Sequence, residues 1–248
     1  GEDVINLTTC DLAGVIAAVN PLSGLVLSTA SVIPYEARAA GGTFTGDGTH
    51  HSLDFVNGLL VPVEISATQD SEEGATCKLD IHVAGAAVQT APVTITDTVD
   101  LVAQTFVGMY DLGPVKIAST TIDGVKSSSV KFGITVEKMR YGGEVWPSIG
   151  GIYITKVEPV LSVTFEDMAS AKAAGQFAET ATTATAYFRK RVSGGAHVAN
   201  ATATNVSCTI TGGMHMLTDV DGKDFGNTSL TREFQGLSWA FSSTAAIS

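Results

Sequence analysis

The chain of 248 residues carries a formal charge of -11 and a pI near 4.7, which removes the basic footprint that holds nucleic-acid phosphates by counterion release. Hydrophobic residues make up 44% of it and charged residues only 16%, so a core is easily filled while few charges remain to keep a bare monomer surface soluble. Cys10, Cys77 and Cys208 lie far apart with no paired spacing, which argues against both a disulfide framework and a CxxC zinc site.

Residues 1–24 read as an N-terminal arm. Leu7, Leu12, Val15 and Ile16 are apolar, yet no cap or sustained period supports a long helix, and an ordinary edge segment competes with an arm docked on a neighbour. The N-terminus has no basic region followed by an apolar one, and no apolar run is long enough to span a membrane. Synthesis in a cytoplasm is the expectation unless a leader was removed. Asn-x-Ser/Thr sequons at Asn6, Asn200, Asn205 and Asn227 are of the kind that arise by chance in a Ser/Thr-rich chain.

Residues 25–33 are a β-rich apolar strand ended by Pro34, and a turn-rich stretch then leads to His50-His51. Adjacent strand residues point to opposite faces, so these two histidines are poorly placed to share one metal. Leu59, Val61, Val63 and Ile65 alternate with Pro62 and Glu64, and the proline predicts an edge strand. After the acidic turn at 70–74, Cys77, Leu79, Ile81 and Val83 alternate with Lys78, Asp80 and His82 as a hairpin partner, with Cys77 a core residue and His82 on the surface. Strands at 93–96 and 105–117 follow, the second interrupted by a turn at Asp111-Leu112-Gly113-Pro114.

The clearest alternation is central: Val130, Phe132, Ile134 and Val136 against Ser129, Lys131, Thr135 and Glu137, read as one half-buried strand. Residues 138–151 form a loop in which two glycine pairs and Pro147 surround large side chains, a composition suited to touching something. Alternation resumes at Ile152 and Ile154, then moves to odd positions at Leu161, Val163 and Phe165, so the strand breaks between Lys156 and Pro159. Residues 167–175 are the best helix, with Asp167 as cap and Gly175 closing it. The basic cluster Arg189-Lys190-Arg191 suits either solvation or pairing with a neighbouring subunit. Val206, Cys208 and Ile210 begin a strand running through Gly212-Gly213, and Leu237, Trp239 and Phe241 mark the closing one.

Six or more such strands with one short helix predict an all-β chain: a single sandwich or barrel-like domain over 25–248, with the flanking helix at about 167–175. Chemistry is hard to place on it. Asp219, Asp221 and Asp224 surround a glycine turn and offer oxygens to Ca²⁺, but the rest of a calcium loop is missing and Asp221-Gly222 is equally a two-residue hairpin turn. No GxSxG, GxGxxG or Walker pattern occurs, and Trp146 and Trp239 are the only tryptophans for a sugar platform. The expectation is a non-enzyme without cofactor.

From Asp111-Leu112-Gly113-Pro114-Val115-Lys116-Ile117, through Gly124-Val125 and Val130 to Glu137, then Gly142-Gly143-Glu144-Val145-Trp146-Pro147-Ser148 and Pro159 to Phe165, the sequence resembles tail tube proteins of long-tailed bacteriophages. The resemblance implies a β-sandwich with a flanking helix whose copies form six-fold rings, with neighbouring inner strands closing one intersubunit β-barrel. It implies a virion tail subunit made in the host cytoplasm, partnered by itself and neighbouring tail proteins. Genomic DNA would pass through without specific binding, and no membrane is involved. Ser127, Ser129, Lys131, Thr135 and Glu137 are then candidates for the lumen. Arg140, Tyr141, Glu144 and Trp146, on the assembly loop 138–151, are candidates for the subunit interface. Ring closure would also cover the edges expected at the Leu59 and Val130 strands. A secreted or surface β-sandwich binding module, calcium-dependent through Asp219 and Asp221, is the alternative class, with another virion protein such as a capsid or decoration subunit as a third.

Overall fold

Alternation of apolar and polar residues at period two turns most of this sequence into strand. The computed structural model describes residues 4–19, 27–28, 31–35, 50–55, 57–84, 93–99, 108–118, 120–140, 149–166, 177–192, 195–221 and 229–247. In chain order these contain β1 (Val4–Thr9), α1 (Leu12–Val19), β2 (Leu27–Ser28), β3 (Ser31–Tyr35), β4 (His50–Phe55), β5 (Asn57–Thr68), β6 (Thr76–Ala84), β7 (Thr94–Val99) and β8 (Met109–Ile117). There follow β9 (Thr120–Ile122), β10 (Val125–Lys131), β11 (Ile134–Arg140), β12 (Ile149–Val157), β13 (Val160–Phe165), β14 (Phe177–Arg191), β15 (Asn205–Asp221), β16 (Ser229–Gln235) and β17 (Ser238–Ala245).

One twelve-stranded antiparallel sheet runs β1-β6-β5-β10-β13-β16-β15-β14-β8-β9, with β17 also on β15 and β2 on β5. It folds back on itself, so that β8 packs across the core from β5 and β10. The long β15 serves both layers: Asn205 to Thr211 pair with β17, and the stretch from Met214 onward pairs with β16. This is an all-β, sandwich-like fold, as the alternation predicts. Ile65, Val130, Leu161, Phe165 and Phe234 from one layer meet Val115, Phe188, Val206 and Ile210 from the other, all nearly inaccessible. Each large apolar side chain so buried stabilises the fold by roughly 1.5–3 kcal/mol. Cys77 and Cys208 are core residues as expected; burial pushes the Cys77 thiol up to about 12 and raises that of Cys208, so both stay protonated.

The N-terminal stretch read as an arm is an edge strand and a short helix. β1 pairs along β6, and α1 inserts Leu12, Val15 and Ile16 into the core. The cap missed in the sequence is Asp11, whose Oδ1 accepts the Gly14 N–H at 3.0 Å. The helix expected at 167–175 lies outside the described residues.

Other expectations are corrected. Pro34 does not end a strand but sits within β3, which pairs on one side only, with β4. β5 is not an edge: β6 and β10 flank it, and Pro62 is accommodated because the β5–β6 register shifts between Pro62 and Glu64. β10 is likewise interior. Asp111-Leu112-Gly113-Pro114 is a bulge in β8 rather than a turn, since Leu112 pairs with Phe188 while Val115 pairs with Ala186. Gly113 fits there because a Cβ would stand 2.5 Å from the Tyr187 carbonyl oxygen. Gly222 and the residues up to 228 lie outside the described ones, and with them the turn expected at Asp221-Gly222.

The largest correction is central. The strand read continuously from Ser129 to Glu137 breaks after Lys131: β10 stays in the main sheet, whereas β11 pairs with β12 as a separate two-stranded sheet. Gly133 makes the break, with φ of +59° and a position where a Cβ would lie 2.0 Å from the Glu158 carbonyl oxygen. The Glu158 N–H donates to the Gly133 carbonyl at 3.0 Å, tying the two roots together, and Pro159 begins the return to β13 as expected. Both ends of the loop expected at 138–151 are strand; residues 141–148 lie outside the described ones.

Candidate functional site

Residues directly opposite in an antiparallel pair share a face. Ser129 on β10 lies opposite Ser66 on β5 and Ser162 on β13, and beyond these are Thr76 on β6 and Glu233 on β16. In the next row Ser127 lies opposite Thr68 and Thr164, with Thr164 opposite Thr231. On the other side of Ser129, Lys131 lies opposite Glu64 and Val160, with Lys78 opposite Glu64. Five neighbouring strands thus carry hydroxyls in register on one outer face, while the alternate residues Ile65, Val130, Leu161 and Phe234 fill the core.

Hydrogen bonds fix this face. The Thr164 and Thr231 hydroxyl oxygens are 3.0 Å apart. Ser129 Oγ donates to Glu64 Oε1 at 2.6 Å, and Lys78 Nζ donates to Glu64 Oε2 at 3.3 Å. Burial alone would raise the Glu64 carboxyl, but the bonds from Ser129 and Lys78, with the charges of Lys78 and Lys131, hold it below its ordinary value. The result is a polar wall on which the acid and its basic neighbours neutralise one another. The outer face of the second layer also bears hydroxyls, with the Thr185 and Thr209 oxygens 3.0 Å apart and Lys116 opposite Thr185.

Ser127, Ser129 and Lys131 therefore lie together as expected. Thr135 and Glu137 do not join them, because the turn at Gly133 carries them onto β11. There they are exposed, while Ile134, Val136 and Lys138 are half buried on the side toward the sheet. Tyr153 of β12 pairs with Glu137 and is 52% exposed. Arg140 is the last residue of β11; Tyr141, Glu144 and Trp146 lie outside the described residues. Asp219 and Asp221 lie in β15 opposite Thr231 and Ser229, and Asp224 is outside the described residues. Among the described residues no group of three or more His, Cys, Asp or Glu is set to hold a metal, and no helix is long and apolar enough to cross a membrane.

Two features escaped the sequence reading. Arg191 donates through Nε to Asp111 Oδ2 at 2.8 Å and through a second nitrogen to Oδ1, while His197 Nε2 lies 2.7 Å from Oδ2. Burial works against the Asp111 carboxylate, yet these two partners hold its pKa below the ordinary value. Nothing in sequence spacing marks the cluster, since Asp111 and Arg191 come from different strands joined only by the β8–β14 pairing. One of the three basic residues thus pairs within its own chain. The second feature is Arg232, buried on the core side of β16, where burial lowers its pKa. Its signal was visible: Arg232 holds the apolar phase between Leu230 and Phe234.

No family model matches the chain, and no curated protein matches it.

Proposed function

We propose that this chain is a structural subunit that assembles with copies of itself into stacked rings forming the tail tube of a long-tailed bacteriophage, a conduit for DNA. The observation that carries this reading is the hydroxyl-bearing outer face of β5, β10, β13 and β16, in register across the sheet. The serine and threonine hydroxyls of this wall carry no charge to hold a phosphate. Lys78 and Lys131 both act on Glu64 rather than standing as isolated positive charges. With a net charge of -11, such a wall repels a passing polyanion weakly and uniformly, so that DNA slides instead of binding.

The second support is the arm made by β11 and β12, whose strands, among the described residues, pair only with each other. It carries Tyr153 on an exposed face with Thr135, Glu137 and Lys156, which suits contact with an adjacent copy. The role given to the loop 138–151 passes in this reading to the described strands of the arm, β11 and β12.

Electron microscopy of the purified chain at low and high concentration, with mass by light scattering, tests this. Rings with a central hole, or tubes, are expected as concentration rises. A compact monomer at every concentration would overturn the reading.

A further inference from the structure

The arm does not stand clear of the body. A cleft of about 450 Å³ opens between Val61, Pro62, Val63 and Glu64 of β5 on one side and Gly133, Ile134, Thr135 and Val136 at the arm's root on the other, with Asp80 and His82 of β6 in its lining. The arm leaves the sheet through one tight point, Gly133, held by the Glu158 N–H. It is therefore a two-stranded lever over a cleft of mixed lining, apolar at Val61, Pro62, Val63, Ile134 and Val136 and charged at Glu64 and Asp80, with its half-buried side, Ile134, Val136 and Lys138, toward the sheet.

We propose that the arm is a pH-set lever: protonation of His82 drives the arm away from β5 and β6, and neutral His82 lets it lie down. Among the described residues, four charged groups bear on the imidazole. Asp80 is on the same strand and accepts a hydrogen bond from Asn6 Nδ2 of β1 at 2.6 Å. Glu64 of β5 is engaged by Ser129 and Lys78, Lys131 of β10 lies beside Glu64, and Lys138 comes from β11 on the arm itself. His82 Nδ1 is buried and has no hydrogen-bond partner among the described residues, so closure gives an added proton no acceptor there at that nitrogen.

Burial disfavours the imidazolium most, the positive charge of Lys138 adds to that, and Asp80 opposes both; the balance holds His82 below its ordinary value. Lifting the arm removes the Lys138 charge and widens the cleft that His82 lines, so the open form binds the proton more readily. Closure is then favoured as pH rises, and acidification through the ordinary histidine range, near about 6.5, opens the lever. This goes beyond the ring reading and does not depend on it, because the response belongs to a single copy.

Amide hydrogen exchange of the full chain, dilute enough to be monomeric, tests the lever at about pH 7.5 and about pH 5 after correction for intrinsic rates. Protection in β11 and β12, relative to β13, is expected to fall on acidification by up to about tenfold per unit of pKa difference between closed and open forms. His82→Gln, neutral at both values, should abolish the fall, and Lys138→Gln should shrink it. An arm that responds no more than β13 in the wild-type chain, or a full response retained in His82→Gln, overturns the proposal. Should His82→Gln fail to fold, a full response retained in Lys138→Gln does the same.

Discussion

The sandwich body and the β11–β12 arm are built from the same kind of sequence and hold together by different means. β10 and β11 follow one another with an unbroken apolar phase from Val130 to Val136. In the body that phase is buried twice over: β10 is flanked by β5 and β13, and Val130 and Phe132 lie at 1% and 0% exposure. In the arm the same phase is only half buried, and each strand has one partner among the described residues. An isolated two-stranded hairpin is marginal in water, so the arm depends on its root and on what it lies against, while the body depends on its core. Periodicity shows that a residue belongs to a strand; it does not show how many layers cover that strand.

The comparison is broken most severely at Phe132, where body and arm meet. Its ring stacks on Phe241 at 5.0 Å and meets Trp239 edge-on at 5.3 Å. Phe132→Ala leaves a cavity beneath both and is expected to cost about 3–5 kcal/mol, read as a lower urea midpoint. One residue later the effect turns local. Gly133→Ala puts a Cβ against the Glu158 carbonyl at a positive φ, with an expected loss of about 1–3 kcal/mol. Exchange protection should fall first in β11 and β12, leaving β13 and β16 near wild type; equal loss in both regions would show that the arm is not a separate unit.

Acid sharpens the contrast from the body's side. Asp111 has a depressed pKa, so below the unfolded value of about 3.9 the unfolded chain binds more protons than the folded one. The stability Asp111 contributes is complete above that value and is lost as pH falls through its folded pKa. Asp111→Asn should flatten this acid limb in urea melts taken between about pH 2.5 and 6, and an unchanged limb would assign it to other carboxylates. Smaller still is Ser129→Ala, which removes one bond to Glu64 and should cost about 1 kcal/mol or less. Its clearer signature is a Glu64 carboxyl that titrates higher by NMR, since a bond lowering its pKa is gone.

How much of this was legible follows from the same contrast. The β5–β6 hairpin, the break at Pro159 and the buried Cys77 and Cys208 could be read because period two and turn residues act locally. The division at Gly133 could not, because a glycine that reverses the chain's course leaves the phase intact. Pro62 and Gly113-Pro114 misled in the opposite sense: punctuation that ordinarily ends strands is absorbed by shifts in the β5–β6 and β8–β14 registers. Of the candidate site, Ser127, Ser129 and Lys131 were found by alternation. Their partners Ser66, Ser162 and Glu233 were not, since pairing order is a property of the whole sheet.

The smallest change in stability is expected on the arm's exposed face, where body and arm differ most in purpose. Tyr153 is half exposed opposite Glu137, and truncating it removes little that the isolated chain buries. Tyr153→Ala should therefore alter unfolding free energy by no more than about 0.5 kcal/mol. If the arm is the element that grips a neighbouring copy, the same substitution weakens self-association far more than folding, because an aromatic side chain held out on a lever gains its packing only from a partner. Sedimentation of wild type and variant at matched concentrations separates the two effects. A variant that folds as well as wild type but assembles only at higher concentration places the contact on the arm; one that assembles identically moves the contact to the body, where β1, at the end of the main sheet, has a partner on one side only among the described residues.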